Sequence, residues 1–199
     1  MESALQIIGF LKRCYGTPVP ILRIAQNIRL SYQPTHKHVR ALEQQGVVET
    51  LKAGREVLCQ LRGSEATHLW LALHGLGERD RLLAESGTLS ELIRTLQQTL
   101  SQPDLPGLEA VAITEPEPAS VPEVIMLASL AAGELFLPRF RARCRAVNPQ
   151  VQVTVLEARE LREGGLSEEQ RQRWVAEGIA LHGAQRFWEA VLPEEAARR

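Results

Sequence analysis

The sequence has few cysteines and no long hydrophobic run. Its three cysteines, Cys14, Cys59 and Cys144, lie far apart and form no Cys-x-x-Cys pair. This pattern argues against a disulfide framework and against a structural zinc site, and it is typical of a reducing compartment. No apolar stretch approaches the roughly 18–20 residues that cross a bilayer, and the first residues lack the charge order and cleavage site of a signal peptide. We therefore expect a cytoplasmic protein that does not enter a membrane.

The chain has almost no net charge, yet its charges are unevenly distributed. It carries 23 Lys and Arg against 24 Asp and Glu over 199 residues. Nine basic and four acidic side chains fall in residues 1–62, whereas residues 63–199 hold fourteen basic and twenty acidic ones. A basic segment followed by an acidic one indicates that the first contacts a polyanion and that the second does not.

Three helical patterns and a hairpin follow one another in the first 62 residues. Apolar residues recur at helical spacing over 3–15, 21–30 and 34–46, and Gly16 and Gly46 end the first and third patterns. Two β-rich runs, 47–51 and 57–61, flank the turn Lys52-Ala53-Gly54-Arg55, which indicates a hairpin.

This segment resembles the winged helix-turn-helix domain of bacterial and archaeal transcription factors, over about sixty residues. The resemblance lies in PVPILRIAQNIRLSYQPTHKHVRALEQQGVVETLKAGREVLCQL, which contains a supporting helix, a polar turn, a recognition helix and a Gly-Val-Val exit into the wing. It implies that the third helix enters the major groove of DNA and that the wing contacts the backbone or minor groove. The polar and basic side chains expected to contact DNA are Gln33, Thr35, His36, Lys37, His38, Arg40, Lys52 and Arg55.

Neither metal ligation nor catalysis is expected in this first segment. His36 and His38 are only two residues apart, so a helix does not place them on one face as it would residues four apart. We predict no metal site, no catalytic residue and no cofactor for the chain.

Residues 63–107 read as a helical connector. Leucines recur at helical spacing from Thr88 onwards. Thr88 is the expected cap of this helix, and Glu91 stands three residues after it, as in a capping box. Gln102-Pro103-Asp104-Leu105-Pro106-Gly107 has the composition of a linker. Because helices beside a DNA-binding module often pair with their copies, we expect a homodimer.

From residue 108 the pattern becomes α/β. We predict strands over 108–114, 124–127 and 151–155, a helix over 130–147 that Pro138 interrupts, and short helices up to Val191. The tail VQVTVLEARELREGGLSEEQRQRWVAEGIALHGAQRFWEAV resembles the last third of small nucleotidyltransferase-fold domains, in which a Gly-Ile-x-Leu-x-Gly segment follows a longer helix.

The catalytic motifs of that family are missing. The resemblance implies a Gly-Ser turn for the triphosphate and an Asp-x-Asp pair for two Mg²⁺ ions. Here Glu115-Pro116-Glu117-Pro118 follows the first strand, and Val121-Pro122-Glu123 stands where the aspartates belong. Prolines remove amide donors and glutamates repel phosphate, so we expect a catalytically inactive domain.

The sequence therefore predicts an α+β protein in three parts: a winged helix-turn-helix domain at 1–62, a helical connector at 63–107 and a small nucleotidyltransferase-like α/β domain at 108–199. The expected function is a transcriptional regulator that binds double-stranded DNA, is not an enzyme, and takes a small-molecule or protein effector on its C-terminal domain. Two alternatives stay open. One is an active Mg²⁺-dependent nucleotidyltransferase using Glu115, Glu117 and Glu123, and the other is a protein-docking winged helix.

Overall fold

Three helices and a three-stranded sheet make up the first third of the chain. The computed structural model describes residues 1–101, 105–114 and 121–194. The elements of this first part are α1 (Glu2–Arg13), β1 (Val19–Pro20), α2 (Ile21–Asn27), α3 (Tyr32–Gln44), β2 (Val48–Ala53) and β3 (Glu56–Leu61).

Helix α1 buries one continuous apolar stripe. Ala4, Ile7, Ile8 and Leu11 recur at helical spacing and are all buried. The helix ends before Gly16, whose φ of +84° belongs to the left-handed region that glycine adopts without steric cost. The prediction of a helix at this place is confirmed, with both ends within two residues of those expected.

The first sheet is antiparallel, with strand order β1-β3-β2. Its central strand β3 pairs Cys59 with Thr50 on one side and with Val19 on the other. The hairpin is confirmed, with Gly54 at its turn at a φ of +61°. Strand β1 was not predicted, because two residues are too few to show an alternating pattern.

Two helices follow, as predicted. They are α4 (Glu65–Ala84) and α5 (Thr88–Leu100). Ser64 caps α4, since its hydroxyl accepts a hydrogen bond of 3.1 Å from the Thr67 amide. Of the predicted linker, residues 102–104 lie outside the described residues.

The rest of the chain forms a four-stranded mixed sheet with helices. The elements are β4 (Leu108–Thr114), β5 (Glu123–Ala128), α6 (Leu130–Val147), β6 (Gln152–Leu156), α7 (Ala158–Arg162), α8 (Glu168–Glu177), β7 (Gly178–His182) and α9 (Ala184–Val191). The strand order is β6-β5-β4-β7, in which only β5 and β6 are parallel. Two predictions need correction: Pro138 lies inside a continuous helix α6, and a strand, β7, occupies the region where only helices were expected.

Both faces of this sheet are buried. Because side chains alternate along a strand, Ala110 and Ala112 of β4 belong to one hydrophobic core, and Val111 and Ile113 belong to a second. Strand β5 alternates in the same way, and all six of its residues are buried. The sheet therefore lies between two layers, which explains its nearly continuous apolar strands.

One of these cores is shared by the two ends of the chain. It contains Ile7 and Ile8 of α1 together with Ala110 of β4, Trp174 of α8 and Trp188 of α9. Helix α4 contacts α1, α9 and β7, so it joins the first part of the chain to the second sheet. The α+β class is thus confirmed, and the division at residues 62 and 107 stays a prediction.

Candidate nucleic-acid interface

Helix α3 has a buried side and an exposed polar side. Val39 and Leu42 face the core, with exposed fractions of 0% and 2%. The opposite side, 180° away on a helical projection, carries four exposed residues at spacings of four, three and four. These outer-face residues are Gln33, Lys37, Arg40 and Gln44.

Lys37 and Arg40 supply the positive charge of this outer face. The Lys37 side chain makes no ion pair or hydrogen bond with any described residue. Arg40 donates from Nη1 to Oε2 of Glu43 over 2.6 Å, and Glu43 in turn accepts a hydrogen bond from the Thr50 hydroxyl on β2. The hydrogen bond from Thr50, together with Arg40, lowers the pKa of Glu43, so its carboxylate is ionised at neutral pH. Its negative charge therefore offsets that of Arg40.

Two histidines flank the outer face. His36 stacks on the ring of Tyr32, with ring centroids 5.8 Å apart and an interplanar angle of 30°. His38 lies on the other flank, and both histidine side chains are partly exposed. They therefore border the outer face rather than form its centre.

Thr35 does not reach this surface. Its exposed fraction is 0%, and its hydroxyl donates a hydrogen bond of 3.0 Å to the Ser31 carbonyl oxygen. Thr35 lies four residues before Val39 and seven before Leu42, which places it in the buried stripe of the helix. We therefore remove Thr35 from the set expected to contact DNA.

The tip of the β2–β3 hairpin is a second basic surface. Lys52 pairs across the hairpin with Val57, and Arg55 sits in the turn beside Gly54. Both side chains are exposed, and neither has an ion pair within the part of the chain that the structure describes. Exposed Glu56 adds one acidic group next to them.

One outer-face residue was missed by the sequence reasoning. Gln44 lies eleven residues after Gln33, a spacing that returns to the same side of a helix after three turns. That spacing was visible in the sequence. The two glutamines give the basic outer face an amide group at each end, and amides pair with adenine edges in the major groove.

The carboxylate proposed for metal binding is already occupied by protein groups. Glu123 is 6% exposed and accepts hydrogen bonds from Thr154 Oγ1 at 2.5 Å, from Trp174 Nε1 at 3.1 Å and from Arg173. Glu115 and Glu117 lie outside the described residues. Among the residues that are described, no group of three His, Cys, Asp or Glu has the arrangement of a metal site.

Comparison with known proteins does not assign the chain to a family. No family matches the sequence, and no characterised protein matches it either. A solved structure, human N-acetylserotonin methyltransferase in complex with SAM, aligns with 85% of this chain and 60% of that chain, at 13% identity and a TM-score of 0.29. A similarity at this level supports no conclusion about the fold or the function of this chain. Within the described ranges, no helix is both long and apolar enough to span a bilayer.

Proposed function

We propose that the chain is a cytoplasmic, DNA-binding transcriptional regulator that reads duplex DNA through α3 and the β2–β3 hairpin. The observation that carries this proposal is the outer face of α3, where Lys37 and Arg40 lie between Gln33 and Gln44 opposite the buried stripe. Lysines and arginines neutralise phosphates, while glutamine amides and arginine forks recognise base edges. The hairpin tip, with Lys52 and Arg55, provides further phosphate contacts.

The second sheet is proposed to be non-catalytic and to resemble a nucleotidyltransferase domain without its chemistry. What supports this is Glu123, whose carboxylate is buried against Arg173, Trp174 and Thr154. Both carboxylate oxygens of Glu123 therefore already accept hydrogen bonds from protein groups. In this proposal the domain holds an effector and transfers no nucleotide.

Exposed leucines on helix α4 support the proposal of a homodimer. Leu69, Leu73 and Leu76 repeat along one side of the helix and are exposed by 53%, 41% and 45%. Large exposed apolar patches often mark sites of protein–protein interaction. We propose a second copy of the chain as the partner, because a two-fold pair buries this stripe from both sides and presents two α3 helices to two half-sites. Replacement of Leu73 with Glu should convert the dimer to a monomer in light scattering, and Leu22→Glu on α2 should not.

Selection of binding sites from a randomised duplex pool tests the DNA-binding function. The enriched duplex is then titrated by fluorescence anisotropy at several salt concentrations. Each phosphate contact contributes about one to the slope of log K against log salt. We expect the Lys37→Ala/Lys52→Ala double variant to lower this slope by about two for every sequence, and Gln33→Ala/Gln44→Ala to relax the sequence preference while preserving the slope.

The matched control removes two arginines of α7 and α9, helices that pack against α4, the second sheet and each other rather than against α3. Arg159 and Arg186 are 80% and 64% exposed and form only local ion pairs on α7 and α9. The Arg159→Ala/Arg186→Ala variant should bind DNA like the wild type. If no sequence is enriched, or if the control loses as much affinity as the Lys37→Ala/Lys52→Ala variant, the regulator proposal is wrong and a protein-docking role takes its place.

A further inference from the structure

A groove with a cationic lining opens between α1, α4 and the turn that precedes α3. Its volume is about 360 Å³, within the range of small-ligand sites. Its lining includes two arginines, a histidine and two amides, and no described Asp or Glu belongs to it. We call it the Arg13/Arg29 groove; its polar lining residues are Gln6, Arg13, Asn27, Arg29 and His74.

Both arginines are available to a ligand. Arg13 ends α1, Arg29 lies in the turn after α2, and both side chains are exposed. Neither guanidinium group forms an ion pair or hydrogen bond with a residue that the structure describes. A guanidinium group presents a rigid fork of N–H donors that matches the oxygens of phosphate and carboxylate. Two such forks on one groove favour an anion with several oxygens.

His74 of α4 is a largely buried residue of the groove lining. Its Nδ1 lies 3.2 Å from Glu78 Oε2, an ion-pair distance without hydrogen-bond alignment, and Lys12 Nζ lies 2.7 Å from the same oxygen. On the other side, the Nε2 edge of the ring lies against Gly9, which also lines the groove. The negative charge of Glu78 is thus compensated by Lys12, so it repels an anion in the groove less than an unpaired carboxylate would.

The backbone at Arg29 is strained. Arg29 has a φ of +56° and, among the described residues, is the one non-glycine residue with a positive φ. It ends α2 in a Schellman motif, in which its amide and that of Leu30 donate to the carbonyl oxygens of Gln26 and Ala25 over 3.4 and 3.0 Å. Glycine is the usual residue at this position. A side chain that persists there at a steric cost points to a role for the guanidinium group.

We propose that the Arg13/Arg29 groove is a binding site for a phosphate-type oxyanion. Arg13 and Arg29 pair with its oxygens, and the Gln6 and Asn27 amides supply further donors. The anion has two sources with the same chemistry, a free small phosphorylated compound or the phosphates of bound DNA. The site does not depend on the proposed function, because the first source requires no DNA.

Pyrophosphate titration at constant ionic strength tests the site. Binding is followed by calorimetry and by NMR shifts of the arginine side chains, with the wild type beside Arg13→Gln/Arg29→Gln. The control is Arg159→Gln/Arg186→Gln, which removes the same charge from two exposed residues that do not line the groove. We expect saturable pyrophosphate binding in the wild type and the control. In the Arg13→Gln/Arg29→Gln variant we expect the Kd to be at least tenfold higher. All replaced side chains are exposed, so each variant is first shown to keep the wild-type circular dichroism spectrum.

A second titration with duplex DNA distinguishes the two sources. Pyrophosphate binding that only the Arg13→Gln/Arg29→Gln variant loses establishes a free anion as the ligand. Without pyrophosphate binding, a DNA salt slope that falls by about two in that variant and not in the control assigns the groove to backbone phosphates. If neither effect occurs, or if the control loses as much as the Arg13→Gln/Arg29→Gln variant, the proposal is overturned.

Discussion

The ring of His74 on α4 occupies the space that a side chain at Gly9 of α1 would need. A Cβ atom at residue 9 would lie 2.2 Å from His74 Nε2. Glycine in the interior of a helix costs about 1 kcal/mol relative to alanine, so its presence in α1 is explained by this close approach and not by helix formation.

Replacement of Gly9 with Ala is therefore expected to destabilise the protein despite the better helix propensity of alanine. The new methyl group displaces the largely buried His74 ring, and we expect a loss of about 1–3 kcal/mol in the free energy of unfolding. Urea denaturation measures it. Gly77→Ala on α4 is the control, because no atom lies within 4 Å of a Cβ there, and it should stabilise the protein. A stabilised Gly9→Ala variant would contradict the packing described here.

The strained backbone at Arg29 predicts that its replacement with glycine stabilises the protein. Because its φ of +56° is unfavourable for any residue with a Cβ, Arg29→Gly should raise the free energy of unfolding by about 0.5–1 kcal/mol. Arg23→Gly in the interior of α2 is the matched control and should lower it by about 1 kcal/mol. Equal losses in both variants, measured by urea denaturation, would show that Arg29 is not strained.

Removal of the negative charge of Glu43 is expected to raise the affinity for DNA. Its charge offsets that of Arg40 on the outer face of α3, across 2.6 Å. We expect Glu43→Gln to bind duplex DNA several-fold more tightly at low salt, with a salt slope steeper by about one. Glu163 forms an exposed ion pair with Arg159. The control Glu163→Gln should leave the DNA affinity and the salt slope unchanged. Unchanged binding by Glu43→Gln would argue against contact between DNA and this end of α3.

The buried position of Glu123 predicts a structural role. Glu123→Gln keeps the shape of the side chain but removes the charge that faces Arg173, so we expect a loss of about 1–3 kcal/mol in the free energy of unfolding. Mg²⁺ should not change the melting temperature of the wild type. The control Glu189→Gln, whose partner Arg186 is exposed, should cost less than about 1 kcal/mol. A rise in melting temperature with Mg²⁺, absent from Glu123→Gln, would favour the nucleotidyltransferase alternative.

The longer elements could be predicted from the sequence because their periodicity is strong. Helices α1, α3 and α5 follow apolar stripes, and the hairpin follows the β-rich runs around Gly54. Strand β7 could not be predicted. Gly178 marks the end of α8, but residues 178–182 are too few to show a clear alternating pattern. Their extended conformation depends on antiparallel pairing with β4, about seventy residues earlier in the chain. The local spacing of apolar residues gives no information about pairing between strands so far apart in the chain.

The candidate interface was predicted in outline only. The positions of Lys37, Arg40, Lys52 and Arg55 followed from the order of the elements. The burial of Thr35 also followed from its spacing to Val39 and Leu42, but its polar character concealed it. The groove at Arg13 and Arg29 was not predictable, because α1, α4 and the turn after α2 meet there only in the folded chain.

The contacts of Glu78 predict a pH-dependent stability. Burial acts to raise the pKa of Glu78, but its contacts with His74 and Lys12 outweigh this effect and hold the pKa at about 2, below the ordinary 4.5. A carboxyl group whose pKa is lowered in the folded state contributes stability that is fully present above pH 4.5. This contribution is lost as the pH falls towards 2. The difference corresponds to a maximum of about 3 kcal/mol.

Denaturation curves between pH 7 and pH 2.5 measure this contribution. We expect Glu78→Gln to be less stable than the wild type by about 3 kcal/mol at pH 7, since the charge of Glu78 no longer pairs with Lys12. The difference should shrink steadily below pH 4.5. Glu163→Gln, on an exposed ion pair, should show no such convergence. A difference between wild type and Glu78→Gln that stayed constant down to pH 2.5 would mean that Glu78 titrates normally, and that the Lys12 and His74 contacts do not stabilise its charge.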